Sequence, residues 1–162
     1  MSTIDLVRLT EQTKKLTAMV VEDEVVANEL LSSTFKNFFS EVSSAFDGNE
    51  ALKIYEEKTP DIVFVDIIMP EMDGIELSRR IKAINPNQII IVISASNDIQ
   101  KISESIEVGV NSFIQKPIDT KKIIELLDNI IVLVHKKKKR ATFLTQKRTN
   151  NVQNKNLKLE ST

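Results

Sequence analysis

Four short strand-like stretches of this 162-residue chain end directly in side chains able to do chemistry. Leu16 to Val21 ends in Glu22 and Asp23, and Ile62 to Val65 ends in Asp66. Ile89 to Ile93 ends in Ser94, and Ser112 to Gln115 ends in Lys116. If these strands run parallel, their ends share one sheet edge, and in open α/β sheets that edge is where ligands bind. Three carboxylates crowded there repel one another and need a cation. Oxygen donors with no Cys in the chain and no His nearby point to a hard ion, Mg²⁺ by preference. Mg²⁺ takes one or two carboxylates together with a phosphate oxygen, so the edge is suited to phosphoryl chemistry. Each residue also has a plainer role open to it. Glu22 and Asp23 could cap the following helix, Ser94 could close a turn, and Lys116 could be a surface lysine.

The elements that position these residues follow from periodicity. Runs as short and as apolar as Ile62 to Val65 and Ile89 to Ile93 read as strands buried on both faces. Val42 to Phe46 alternates with serines and reads as an edge strand. The helix after the first strand carries Ala27, Leu30, Leu31, Phe35 and Phe38 at helical spacing, and the next carries Ala51, Leu52 and Tyr55. Leu77, Ile81 and Ile84 mark the third helix, with Asp73 as its cap, and Ile99, Ile102 and Ile106 mark the fourth. The last helix repeats Ile123, Leu126, Leu127, Ile130, Ile131 and Val134. The three glycines and four prolines fall between elements. Five strands alternating with five helices predict an α/β fold, a doubly wound five-stranded parallel sheet with right-handed crossovers. Residues 1–15 form an N-terminal extension with at most a short helix, and 16–135 form the domain. Residues 136–162 are expected to prolong the last helix and then to become disordered.

Composition is that of an ordinary globular protein, with 41% hydrophobic and 28% charged residues. The absence of cysteine excludes disulfides and thiolate metal centres. No signal peptide or membrane span is visible, so a cytoplasmic location is expected. The net charge of −1 hides an asymmetry: residues 136–162 hold nine Lys or Arg against one acid, Glu160, and the rest of the chain is strongly acidic.

The sequence resembles the receiver domain of two-component response regulators over about residues 16–135. Val20-Val21-Glu22-Asp23-Glu24 is similar to the acidic pair of that family, and Val65 to Gly74 (VDIIMPEMDG) to its phosphorylation motif. Ser94-Ala95 resembles its switch hydroxyl, and Phe113-Ile114-Gln115-Lys116-Pro117 its switch aromatic and lysine-proline. The resemblance implies a flavodoxin-like strand order 2-1-3-4-5. It also implies that Asp66 accepts a phosphoryl group from a histidine kinase or phosphotransfer protein. Glu22, Asp23, Asp66 and the Ile68 carbonyl would hold Mg²⁺, and Lys116 would pair with the phosphate. Ser94 and Phe113 would switch the surface of the fourth helix, fifth strand and last helix. The chain would be a signalling protein rather than an enzyme, catalysing only its own phosphorylation and slow dephosphorylation.

Two departures stand out. Phe113 has no hydroxyl for an output contact, and Ile68, two residues after Asp66, has no polar group to orient a hydrolytic water. Only 27 residues follow His135, with no helix-turn-helix pattern, so a stand-alone, chemotaxis-type receiver that acts on a protein target is expected. Val132 and Leu133 offer a partner surface, including one for a homodimer formed on phosphorylation, and partial burial against the N-terminal segment accounts for them equally. The run Lys136 to Arg140 suits a solvated helix end; a nucleic-acid or membrane contact is the sharper alternative and is not the expected one. Two further alternatives are an unphosphorylated scaffold and a flavin binder. The acidic loop after the first strand would repel a phosphate and argues against the second.

Overall fold

In the computed structural model, the described residues are 3–95 and 97–160, excepting the side chains of Thr3 and Ile4. Ser96 and the extreme ends of the N-terminal extension and basic tail lie outside them. The elements are α1 (Thr3–Thr13), β1 (Thr17–Val21), α2 (Val25–Phe35), β2 (Glu41–Ala45), α3 (Gly48–Lys58) and β3 (Ile62–Val65). They continue with α4 (Gly74–Ile84), β4 (Ile89–Ser94), α5 (Ile99–Val108), β5 (Ser112–Gln115) and α6 (Thr120–Glu160). All strands are parallel, in the order β2-β1-β3-β4-β5. The strand order expected from the resemblance is therefore present, and β2 is an edge strand.

Alternation along each strand divides the core into two layers. Met19, Val21, Val63, Val65, Ile90 and Val92 face Ala51 and Tyr55 of α3 and Leu77 and Ile81 of α4. Ala18, Val20, Ile62, Phe64, Ile91 and Ile93 face Phe35, Phe39 and Leu126, Leu127 and Ile130 of α6. Phe35 stacks on Phe64 with ring centroids 4.4 Å apart, which pins α2 to the central strand. Because helices cover both faces, the inner strands are continuously apolar rather than alternating. Aspartates start four of the helices: Asp47 accepts from Glu50 N at 2.8 Å, Asp73 from Glu76 N at 2.8 Å, Asp98 from Gln100 N at 3.0 Å and Asp119 from Lys122 N at 2.9 Å.

The structure differs from the expected helices in four places. Among the described residues there are six helices rather than five, since residues 3–13 form α1, whose Leu9 is buried in the second layer beside α6. The expected disorder in the tail is absent among the described residues, because α6 continues without a break to Glu160. The buried face of α2 is Asn28, Ser32 and Phe35, while Leu30 is 67% exposed. A polar stripe escapes a search for apolar periodicity. It is buried here because Asn28 donates to Glu22 O at 3.0 Å and Ala45 O at 2.9 Å, and Ser32 meets Ser44 of the serine-bearing edge strand at 2.7 Å. In α5, Ile99 and Ile106 face solvent and Ser105 is buried, so that helix is lightly anchored.

Candidate functional site

Main-chain pairing continues one step past the strands and brings the chemistry-bearing residues to one edge. Val21 pairs with Val65 and Val65 with Val92. Beyond them, Asp66 N donates to Val21 O at 3.0 Å, Glu22 N to Ala45 O at 3.1 Å and Lys116 N to Ser94 O at 3.0 Å. These bonds fix the depth at which each side chain leaves the sheet.

Lys116 is the hub. Its ammonium donates to Glu22 Oε2 and, at 3.1 Å, to Asp66 Oδ2. These partners lie 94 and 50 residues away in sequence. Asp66 Oδ1 accepts from Ile68 N at 3.2 Å, and Glu22 Oε1 from Glu24 N at 3.3 Å. Glu22 is only 2% exposed. Burial holds its carboxyl above the ordinary range, the Lys116 ammonium pulls it back, and the Asp66 carboxylate pushes it up again. Burial likewise works against the charge of Lys116, but the Glu22 and Asp66 carboxylates outweigh it and hold the ammonium above the usual lysine value.

Glu22, Asp66 and Lys116 are thus brought together, which the plainer roles of cap and surface lysine do not describe. Glu24, not the acidic pair, stands at the N-cap of α2. Asp23 is half-buried beside Glu22, and among the described residues no three acids are drawn close enough to hold a metal ion between them. Lys116 bridges the space between two of them instead. The donor set still fits a hard divalent ion, since three carboxylates against one ammonium leave an excess of negative oxygen donors at this edge. Ser94 is fully buried at the end of β4. Phe113 is half-buried and packs against the first core layer, and Ile68 is 56% exposed next to Asp66.

Two residues with positioning roles were not singled out from sequence. Asn28 clamps the carbonyl of Glu22, and no local signal marks it, since it shares its helix face with the equally polar Ser32. Gly74 begins α4 with its N–H on Ile67 O at 2.9 Å, and a Cβ there would stand 2.1 Å from Asp66 O. The Asp73-Gly74 pair reads as a turn signal in sequence; in three dimensions it is the floor under Asp66.

An acidic pocket at the carboxyl edge of a doubly wound parallel sheet, bridged by a lysine from its last strand, defines the class of site. Residues 18–128 match the family model described as the response regulator receiver domain, and the chain belongs to that family of two-component signalling proteins. It is 36% identical over 113 residues to the chemotaxis protein CheY of Thermotoga maritima, covering 69% of this chain and 94% of that one. It is 35% identical to the CheY of Listeria monocytogenes, covering 70% and 96%. Among solved structures, the N-terminal domain of a Wolinella succinogenes protein superposes with a TM-score of 0.69 at 36% identity, covering 76% of this chain and 99% of that one. No helix among the described residues is long and apolar enough to cross a membrane.

Proposed function

We propose that this chain is a phosphoaccepting receiver in which Asp66 takes a phosphoryl group from a histidine kinase or phosphotransfer protein. The observation that carries this reading is Lys116 placed between Asp66 and Glu22 on the carboxyl edge of the sheet. An Asp66 oxygen attacks phosphorus as the donor's nitrogen–phosphorus bond breaks, with the bonding pair staying on the histidine nitrogen; the product is an acyl phosphate. Glu22, Asp23, Asp66 and the Ile68 carbonyl are the residues that would hold Mg²⁺, which supplies charge neutralisation on the transferring group. Lys116 is shared between two carboxylates and has a further partner to gain in a phosphate oxygen. The Ile68 amide holds one Asp66 oxygen and leaves the acid oriented.

Ser94 would then hydrogen-bond the phosphoryl group, and Phe113 would move further into the first core layer. The surface that changes is α5, β5 and α6, where Phe113, Gln115, Lys122 and Asn129 already border a cleft of about 280 Å³. The lightly anchored α5 suits such a shift, since a ligand moves an equilibrium only by the contacts that differ between its states. The output is a protein contact made in the cytoplasm, in the manner of a chemotaxis-type receiver. A homodimer would use the partly exposed Val132 and Leu133.

Labelling by acetyl phosphate tests the reading, with wild type compared to Asp66→Asn. Incorporation that needs both Mg²⁺ and Asp66 is expected. A folded protein that takes no label from any donor would instead be an unphosphorylated scaffold.

A further inference from the structure

Helix α6 changes what the basic tail can do. Between Asp128 and Glu160 the chain has no carboxylate side chain, and every residue from His135 to Glu160 is exposed. At 3.6 residues per turn, Lys136, Lys137, Arg140, Lys147, Arg148 and Lys155 fall within about a third of the helix circumference. From Lys136 to Lys155 this stripe is roughly 28 Å long at 1.5 Å per residue. Its near end overhangs the edge of the sheet opposite Asp66. There α6 and the α4–β4 connection enclose a cleft of about 540 Å³, lined by Lys82, Lys136, Lys137, Arg140 and Arg148 and by no acid. Lys82 donates to Gln88 O at 2.6 Å, which holds its ammonium at the cleft. Burial, and then the charge of Lys137, keep Lys82 below the ordinary lysine value, a tension that an anion in the cleft would relieve.

We propose that this stripe and the cleft at its base bind the phosphate backbone of duplex nucleic acid. A disordered tail would scatter its charges, whereas a continuous helix holds them in a row that matches a line of phosphates. The acidic remainder of the chain repels the same polyanion and confines contact to α6 and the cleft at its base. A membrane surface fits less well. Interfacial helices gather their apolar residues on one face, and here the exposed Phe143 and Leu157 lie on one side of the axis while Val152 and Leu159 lie on nearly the opposite side. No aromatic side chain lines the cleft, so phosphates rather than bases are the groups recognised. The inference does not depend on the chemistry of Asp66, which lies at the other edge of the sheet.

The test is fluorescence anisotropy of the full chain with a labelled DNA duplex of about 20 base pairs, titrated over a range of salt. Six phosphate contacts predict a slope of about −5 for log K against log salt, at roughly 0.9 per contact. The double variant Lys137→Gln, Arg140→Gln should weaken binding about tenfold or more and reduce the slope by about two. Lys138→Gln, Lys139→Gln removes the same charge from outside the stripe and should change affinity by no more than about twofold; glutamine preserves helix propensity, and circular dichroism confirms it. Equal losses in the two double variants would overturn the proposal. So would the absence of salt-dependent binding, or binding to phosphatidylserine vesicles without binding to the duplex.

Discussion

The backbone carbonyl of Asp66 lies so close to Gly74 that a methyl group on Gly74 would stand 2.1 Å from its oxygen. The first turn of α4 therefore packs directly under the acid, and the strand end, the loop and the helix start behave as one rigid unit.

Gly74→Ala should separate that unit. The loop has to move, because the obstruction is backbone rather than a flexible side chain. A loss of about 1–3 kcal/mol in stability is expected, the usual range for overpacking, read as a lower denaturant midpoint. Acetyl phosphate labelling of Asp66 should slow with it. Full labelling at wild-type rate would show that the contact has no part in holding the acid.

The Lys116 cluster predicts two pH limbs, both measured in metal-free buffer with a chelator. Glu22 has a folded value above its ordinary 4.5, raised mainly by burial. The folded state therefore binds the proton more tightly, and stability rises as pH falls through the folded value toward 4.5. Glu22→Gln should abolish that rise. Lys116 has a folded value above 10.5, so its contribution is complete below 10.5 and is lost as pH climbs through the folded value. The alkaline loss of stability should be smaller in Lys116→Met than in wild type. Parallel curves for variant and wild type at either end would contradict the assignment.

Ile68 stands exposed beside Asp66 with its amide on the carboxylate and no polar side chain to place a water. The acyl phosphate should therefore be long-lived. Ile68→Asn should speed its loss on the order of tenfold, equivalent to about 1.4 kcal/mol of barrier. A wild-type half-life of seconds, or an unchanged rate in the variant, would refute this.

Ser94→Ala tests the switch apart from the chemistry. Its hydroxyl is proposed to act only after phosphate arrives, so labelling of Asp66 should survive. The chemical-shift change of the Phe113 ring on phosphorylation, followed by methyl and aromatic NMR, should disappear. Retention of that change would move the switch to another residue.

How far the site is legible in sequence depends on the kind of residue. Asp66 and Glu22 stand out because an ionisable group directly after a buried strand has few structural reasons to be there. Lys116, after the half-exposed β5, reads alone as a surface lysine and gains meaning only beside the other strand ends. Asn28 is silent, since a polar residue on a helix face reads as exposed until both acceptors it serves, Glu22 O and Ala45 O, are in place. Leu30 misleads for the converse reason: it has helical spacing and an apolar side chain, yet the polar stripe takes the buried side of α2.

Sequence by itself determined the five strands, their alternation with helices, the edge position of β2 and the residues of the acidic edge. Strand and helix periods, aspartate caps and the placement of Gly and Pro are local properties, written in consecutive residues. Only tertiary structure decided that Lys116 bridges Glu22 and Asp66, that Gly74 lies against the Asp66 carbonyl, and that α1 docks on α6. It also decided that α6 reaches Glu160 and turns a scattered set of lysines and arginines into a row. Each of these is a relation between distant segments or a matter of helix phase carried over many turns. The relations between distant segments depend on packing, which no window of neighbouring residues contains, and the row of cations depends on an unbroken helix whose residues are exposed.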